Sequence, residues 1–306
     1  MTELSHHEEE ALGKAYDARL MRRLLAYLRP HRARVVTAIA VLLSAAALEL
    51  VPPLLTKLAL DRAIPARDPQ LLLLYTGIFA ATIAVGFLLE YGQTMLTTWL
   101  GQRVMYDLRR QIFGQLQRLD LRFYDRNPVG RLMTRVTSDV EVLNELFSSG
   151  VVTVFGDIFT LLLIVVVMFV MDWRLALVTL SVMPGVVLFA AAFRRKIRDA
   201  YRDIRTRLAR INAFPQEHLS GMAVVQLFGR EEETGRRFRK VDRDYLDAHL
   251  RSITYYALFF PVIEVLTSIS LALIVAYGGF EITRGTLTVG SIAAFLQYAR
   301  RFFRPI

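Results

Sequence analysis

The residues placed to do chemistry are the polar ones that interrupt long apolar runs. Glu49, Glu90, Asp157 and Glu264 each break such a run, and Gln297, Arg300, Arg301 and Arg304 crowd the last one. An ionisable side chain in hydrocarbon is costly, so it faces a bundle interior or a wet cavity. Gln297, Arg300 or Arg301, and Arg304 recur at steps of three and four, which stacks them on one helix face. These eight residues are candidates for a translocation cavity. Phe295, Tyr298, Phe302 and Phe303 would give it an apolar lining suited to amphipathic cargo. The structural alternative is an ion pair between Glu264 and an arginine of the last run.

Covalent and metal chemistry find little support. The chain has no cysteine, which removes disulfides and thiol-based metal or redox sites. No Ser/His/Asp arrangement is readable, and no catalytic residue is nominated. His6-His7 before Glu8-Glu9-Glu10 could hold a metal, but adjacent histidines on a polar terminus commonly do nothing specific, and no metal ligand is nominated. A phosphate-binding loop would read G-x-x-x-x-G-K-[ST]. The only Gly-Lys pair, Gly13-Lys14, is followed by Ala-Tyr and lacks the upstream glycine.

The elements that must carry the polar residues are membrane spans. Hydrophobic residues make up 54% of the 306. Leu71 to Leu89 and Leu175 to Phe193 contain no charge, and Leu146 to Met171 contains only Asp157. About 20 apolar residues, at a rise of about 1.5 Å each, cross a bilayer core. Six spans are predicted, at 33–58, 70–100, 143–170, 174–198, 253–278 and 287–306. Pro52, Pro53 and Pro261 can bend the first and fifth near Glu49 and Glu264. The charged first thirty residues hold no apolar signal-peptide core.

The net charge of +10 is distributed by side. Residues 1–34, 101–140 and 194–252 hold thirty Lys and Arg, against five in the opposite connections (Lys57, Arg62, Arg67, Arg174 and Arg284). The positive-inside rule puts the N-terminus and both long connections in the cytoplasm of an inner-membrane protein. That bias also accounts for the basic 194–252 segment without nucleic acid, since Glu231, Glu232, Glu233, Asp242 and Asp244 interleave with its cations. The long connections are amphipathic: Met105, Leu108, Ile112, Leu116 and Leu119 recur at helical spacing, as do Tyr201, Ile204, Leu208 and Ile211. Spans two to five are therefore expected to continue as helices well beyond the bilayer. Residues 1–16 read as a tail. Residues 17–32 read as an interfacial elbow helix, with Leu20, Leu24, Leu25 and Leu28 opposite Arg22, Arg23 and Arg29, and ended by Pro30.

Two cytoplasmic turns carry specific sequence. The first runs from Phe123-Tyr124-Asp125-Arg126-Asn127-Pro128-Val129-Gly130-Arg131 through Arg135 to Asp139-Val140. The second runs from Phe214-Pro215-Gln216-Glu217-His218-Leu219-Ser220-Gly221 through Val225 and Phe228 to Glu232. They resemble the two intracellular coupling regions of exporter-type ABC transporters, over a similarity extending from about Leu20 to Ile306. Tyr124, Met222 and Gln226 depart mildly from the usual Phe, Ile and Lys. The resemblance implies an all-α membrane protein with the ABC exporter transmembrane fold, its six-helix domain occupying 33–306. It also implies coupling to an ATPase domain through Asp125, Asn127, Gly130, Arg131, Arg135, Asp139, Pro215, Glu217, His218, Leu219 and Gly221. Asp125 and Asn127 are expected to cap the first coupling helix, and Gly130 and Gly221 to permit a tight approach or a turn at its end.

The resemblance further implies a nucleotide-binding domain, fused or separate, holding ATP and Mg. This chain is thereby read as truncated in its sixth span. A second six-helix half, identical or a sister chain, would complete the transporter, with membrane lipids as partners. The expected activity is export of lipophilic or amphipathic compounds, drugs or lipids, by alternating access. Peptide export within the same family is the alternative. A secondary transporter relaying protons through Glu264 or Asp157 would need internal repeats that are not visible.

Overall fold

A computed structural model describes residues 27–145 and 152–304. The tail and most of the elbow, with Leu20, Leu24 and Leu25, lie outside the described residues. Where the description begins, Tyr27 and Leu28 turn into a single 3-10 turn, Arg29–His31, that contains Pro30. Every regular element among the described residues is helical.

Contacts divide the chain into two compact units, 27–167 and 168–304. In the first, α1 (Arg32–Leu48) and α2 (Val51–Leu58) are separated by a break at Glu49-Leu50, immediately before Pro52-Pro53. A wide turn at Ala59–Ala63 and a short one at Ile64–Ala66 bring the chain to Arg67. The long helix α3 (Pro69–Leu116) starts at Asp68, whose carboxylate accepts from the amides of Gln70 and Leu71. Both α1 and α2 pack along α3. Its 48 residues make about 72 Å of helix, far more than the ~30 Å bilayer core requires. Three short helices follow: α4 (Leu121–Arg126), α5 (Val129–Val136) and α6 (Ser138–Glu145). Val140 of α6 packs on Val104 and Met105 of α3, with Leu108, Ile112, Tyr27 and Leu28 around them. After residues outside the description, α7 (Val152–Met171) spans the end of this unit.

The second unit contains α8 (Trp173–Leu180), capped by the Asp172 carboxylate on the Leu175 amide. Then come α9 (Met183–Ser220), the short α10 (Met222–Leu227), α11 (Glu231–Thr283) and α12 (Val289–Phe303). Ser181 and Val182 interrupt the fourth span just before Pro184, a break that the proline itself signals. Pro261, by contrast, sits inside an unbroken α11.

The pair α9–α11 is an antiparallel arm, as its contacts show: numbering rises on one helix as it falls on the other. Ser270 Oγ donates to the Thr179 carbonyl at 3.0 Å. Phe193 and Phe259 rings lie 4.3 Å apart. Asp203 accepts from Arg251 at 2.5 Å, Arg207 lies 3.7 Å from Asp244, and Phe214 is 5.7 Å from Phe238.

Five described stretches are long and apolar enough to cross a membrane: Arg29–Ala63, Pro69–Leu116, Val154–Met171, Trp173–Ser220 and Glu231–Thr283. The sixth predicted span corresponds to the 15 residues of α12, which run to the end of the description. The connection before it is a tight C-terminal cap. The Thr286 amide bonds the Glu281 carbonyl and the Gly285 amide bonds that of Ile282, with Gly285 at φ +74° as this geometry requires.

Candidate functional site

Both predicted cytoplasmic turns are short helices at the far ends of long ones, and their apolar residues are uncovered. In the first, Leu132 of α5 is buried, while Val129 and Met133 on either side of it are exposed. In the second, Leu219, Val224, Leu227 and Phe228 stand in the open, Leu227 at 80% exposure. Isolated exposed apolar residues are ordinary. Four within ten residues at the tip of a charged arm form a patch. Gly229, at φ +60°, closes α10 through an Arg230 amide to Val225 carbonyl bond and turns the chain into α11.

The candidate coupling residues are placed as follows. Asp125 is exposed within α4, a helix capped instead by Asp120 on the Phe123 amide. Asn127 donates to the Phe123 carbonyl at 2.9 Å, so it closes α4, and its oxygen accepts from Arg131 at 2.7 Å. Pro128 occupies the N-cap of α5 with no side-chain cap bond. The expected capping of the first coupling helix by Asp125 and Asn127 is therefore corrected: proline at that position sets the chain's entry, and Asn127 faces back. Arg135 and Asp139 are exposed, Asp139 in the first turn of α6, where a helix favours negative charge.

Gly221 stands at the turn between α9 and α10, as the C-cap of one and the N-cap of the other, and within the chain neither it nor Gly130 is needed for a close approach. A Cβ on Gly130 would meet no atom within 4 Å, and one on Gly221 only the Glu217 carbonyl at 3.4 Å. Neither has a positive φ. Pro215 lies inside α9, one turn before its end, with Glu217 and Leu219 exposed beyond it. His218 stacks on Phe214, with ring centroids 3.9 Å apart, and its Nδ1 donates to the Phe214 carbonyl at 2.9 Å.

The arm behind the second turn is braced by charge. Asp203 accepts from Arg207 at 2.8 Å and from Arg251, and these two guanidinium groups, Arg207 first, hold its carboxyl below the usual value. Glu233, near the tip, is held low in the same way by Arg237 and Arg230. In the other unit Arg109 donates to Glu141 at 2.7 Å, tying α6 to α3. Arg109 and Arg110 also border an open cavity of about 540 Å³ with Tyr106, Phe113, Gln102 and Val136. Where the first span begins, His31 meets Asp107 at 3.1 Å and Arg34 lies 3.8 Å over the Trp99 ring. The pairs Asp203–Arg207, Glu233–Arg230 and Glu233–Arg237 fall at helical spacing. Asp203–Arg251, Arg109–Glu141, His31–Asp107 and Arg34–Trp99 instead join segments far apart in sequence and were not legible in spacing.

The cavity candidates separate by unit. Glu49 and Glu90 are exposed and Asp157 half-buried in the first; Glu264, Arg300 and Arg304 are exposed and Gln297 and Arg301 half-buried in the second. Gln297, Arg300, Arg301 and Arg304 do share one face of α12. The expected aromatic lining is corrected: Phe295, Tyr298, Phe302 and Phe303 are buried on the opposite face, so they pack the protein's interior. No ion pair joins Glu264 to Arg300 or Arg304 among the described residues. Nor is any group of three or more potential metal ligands found among them.

Comparison with known proteins adds four findings of one kind. Residues 35–306 match the family model of the ABC transporter transmembrane region. An ATP-dependent lipid A-core flippase of Syntrophus aciditrophicus is 31% identical over 94% of this chain and 48% of its own length. An uncharacterised ABC transporter ATP-binding protein of Bacillus subtilis is 28% identical over 98% of this chain and 50% of its own. A Staphylococcus aureus ATP-binding/permease protein, provisionally named for multidrug export, is 28% identical over 94% and 51%. The chain thus spans about half the length of the curated relatives it matches.

Proposed function

The chain belongs to the ABC transporter transmembrane region family, and on that premise we propose that it is the membrane half of an ATP-driven exporter. The observation that carries the coupling is the pair of tips: short helices held beyond the membrane by long ones, each with bare apolar side chains. Such a patch fits a groove on a soluble domain, and the relatives named for ATP binding support an ATPase as that domain. It would hold ATP and Mg. Residues Asp125 to Asp139 and Pro215 to Phe228 transmit its closure. A domain that binds ATP more tightly in one closed arrangement shifts the membrane helices between inward- and outward-facing states.

The cargo is lipophilic or amphipathic, a drug or a lipid, taken from the cytoplasm or inner leaflet. The names of the flippase and the multidrug relative support that class. Glu49, Glu90, Asp157, Glu264 and the polar face of α12 line the route, completed by a second six-helix half. The N-terminus lies in the cytoplasm, with the elbow of residues 17–32 along the inner surface.

The test is ATP-dependent accumulation of an amphipathic dye in inside-out vesicles, with ATP hydrolysis followed in parallel. Uptake that needs ATP and is competed by other amphiphiles is the expected result. Hydrolysis with no uptake of any amphiphile, but with uptake of peptides, would replace the cargo class; uptake driven by a proton gradient alone would overturn the exporter.

A further inference from the structure

We propose that Arg194, Arg195, Lys196 and Arg198 form a binding site for anionic phospholipid of the inner leaflet. The run follows directly on Leu175 to Phe193, which holds no charge, so it begins where α9 leaves the hydrocarbon. The headgroup zone is about 5–8 Å deep on each side, or four to five residues of helix at ~1.5 Å each. Residues 194–198 fill that depth. The site rests on the orientation proposed above, and deepens it by naming the lipid class and its ligands.

Three observations describe this run. All four side chains are exposed, and none makes an ion pair or hydrogen bond among the described residues. They lie off the seam, since Phe193 is the residue at this level that packs on α11, against Tyr256 and Phe259. The stretch of α11 opposite, Thr254 to Phe260, carries no charge at all and presents Tyr255 and Tyr256, residues at home in the interface.

Farther from the membrane the arm is close to neutral. Residues 199–220 hold four basic and three acidic side chains, and 230–251 hold seven and six. There Arg207, Arg251, Arg230 and Arg237 are neutralised by Asp203, Asp244 and Glu233. Arg236, Arg239, Lys240 and Arg243 are unpaired as well among the described residues, but acidic residues intersperse with them. Residues 194–198, by contrast, hold four cations in five positions and no acidic residue. The matching anion is the phosphate diester of an acidic lipid, whose acyl chains would lie along the exposed Val187 and Leu188 above.

Native mass spectrometry of the detergent-solubilised protein, titrated with phosphatidylglycerol, phosphatidylcholine or inorganic phosphate, tests the site. Phosphatidylglycerol is expected to bind in preference to phosphatidylcholine, and inorganic phosphate to leave it in place. The R194Q/R195Q/K196Q/R198Q variant should lose at least about tenfold in that affinity. A charge-matched control farther out, R236Q/R239Q/K240Q/R243Q, should keep it. Unchanged binding in the first variant, equal loss in both, or displacement by inorganic phosphate would each overturn the site. Sidedness is read separately: the chain has no cysteine, so D199C labels uniquely with an impermeant maleimide. Labelling from outside the cell would overturn the inner-leaflet assignment, while the micelle titration still reports on the lipid.

Discussion

Gly278 shows how little room single positions leave. A Cβ there would stand 2.8 Å from Cδ1 and Cγ1 of Ile292, so α11 and α12 approach through a missing side chain. Gly278→Val is expected to lower the melting temperature in detergent, by overpacking worth about 1–3 kcal/mol. Ile292→Ala added to it should recover part of the loss; no loss in the single variant would contradict the close approach. Asp203 gives a prediction with a sign in pH. Its folded carboxyl is held below the ordinary value of 3.8, so its contribution is complete above that value. It is lost as pH falls through the lower, folded value. Asp203→Asn should therefore speed amide exchange in the arm at pH 7, with the difference from the native chain closing only in strong acid. Arg67 is the one non-glycine residue with positive φ among those described, at 51°, and it closes the turn before α3. Arg67→Gly should raise thermal stability slightly, by relieving about 1 kcal/mol of left-handed strain.

At the scale of elements, the sequence was most readable where one physical rule dominated. Long apolar runs located α3, α7, α9 and α11 because hydrocarbon tolerates little else, and helical spacing of Met105, Leu108 and Ile112 foretold that α3 would outrun the bilayer. Pro52-Pro53 announced the break at Glu49-Leu50. What escaped was decided between segments. Asn127 looked like a cap for the helix after it, yet it bonds backward to Phe123 and sideways to Arg131. Phe295 and Tyr298 looked like cavity lining because aromatic residues suit both a wet wall and a core, and packing chose the core. The Asp203–Arg251 and Arg207–Asp244 contacts depend on the register of two helices joined by a turn, which spacing within either one does not fix. That register makes a prediction: cysteines at Thr206 and Asp247 should crosslink with a short reagent, and cysteines at Thr206 and Thr234 should not. The reverse pattern would refute the antiparallel seam.

For the whole molecule, the account turns on stiff arms that carry motion between an ATPase and the membrane. The arm seam extends from Thr179 with Ser270 to Phe214 with Phe238, roughly 50 Å along α8 and α9. Its tip gathers Leu219, Val224, Leu227 and Phe228, all exposed, within ten residues. The most direct test compares the native protein with L227S/F228S in liposomes, measuring ATP hydrolysis with and without an amphipathic compound. The account predicts that the compound stimulates the native protein, and that the variant folds and inserts equally well but loses stimulation and transport together. Full stimulation and transport in the variant would contradict the coupling role given to this tip.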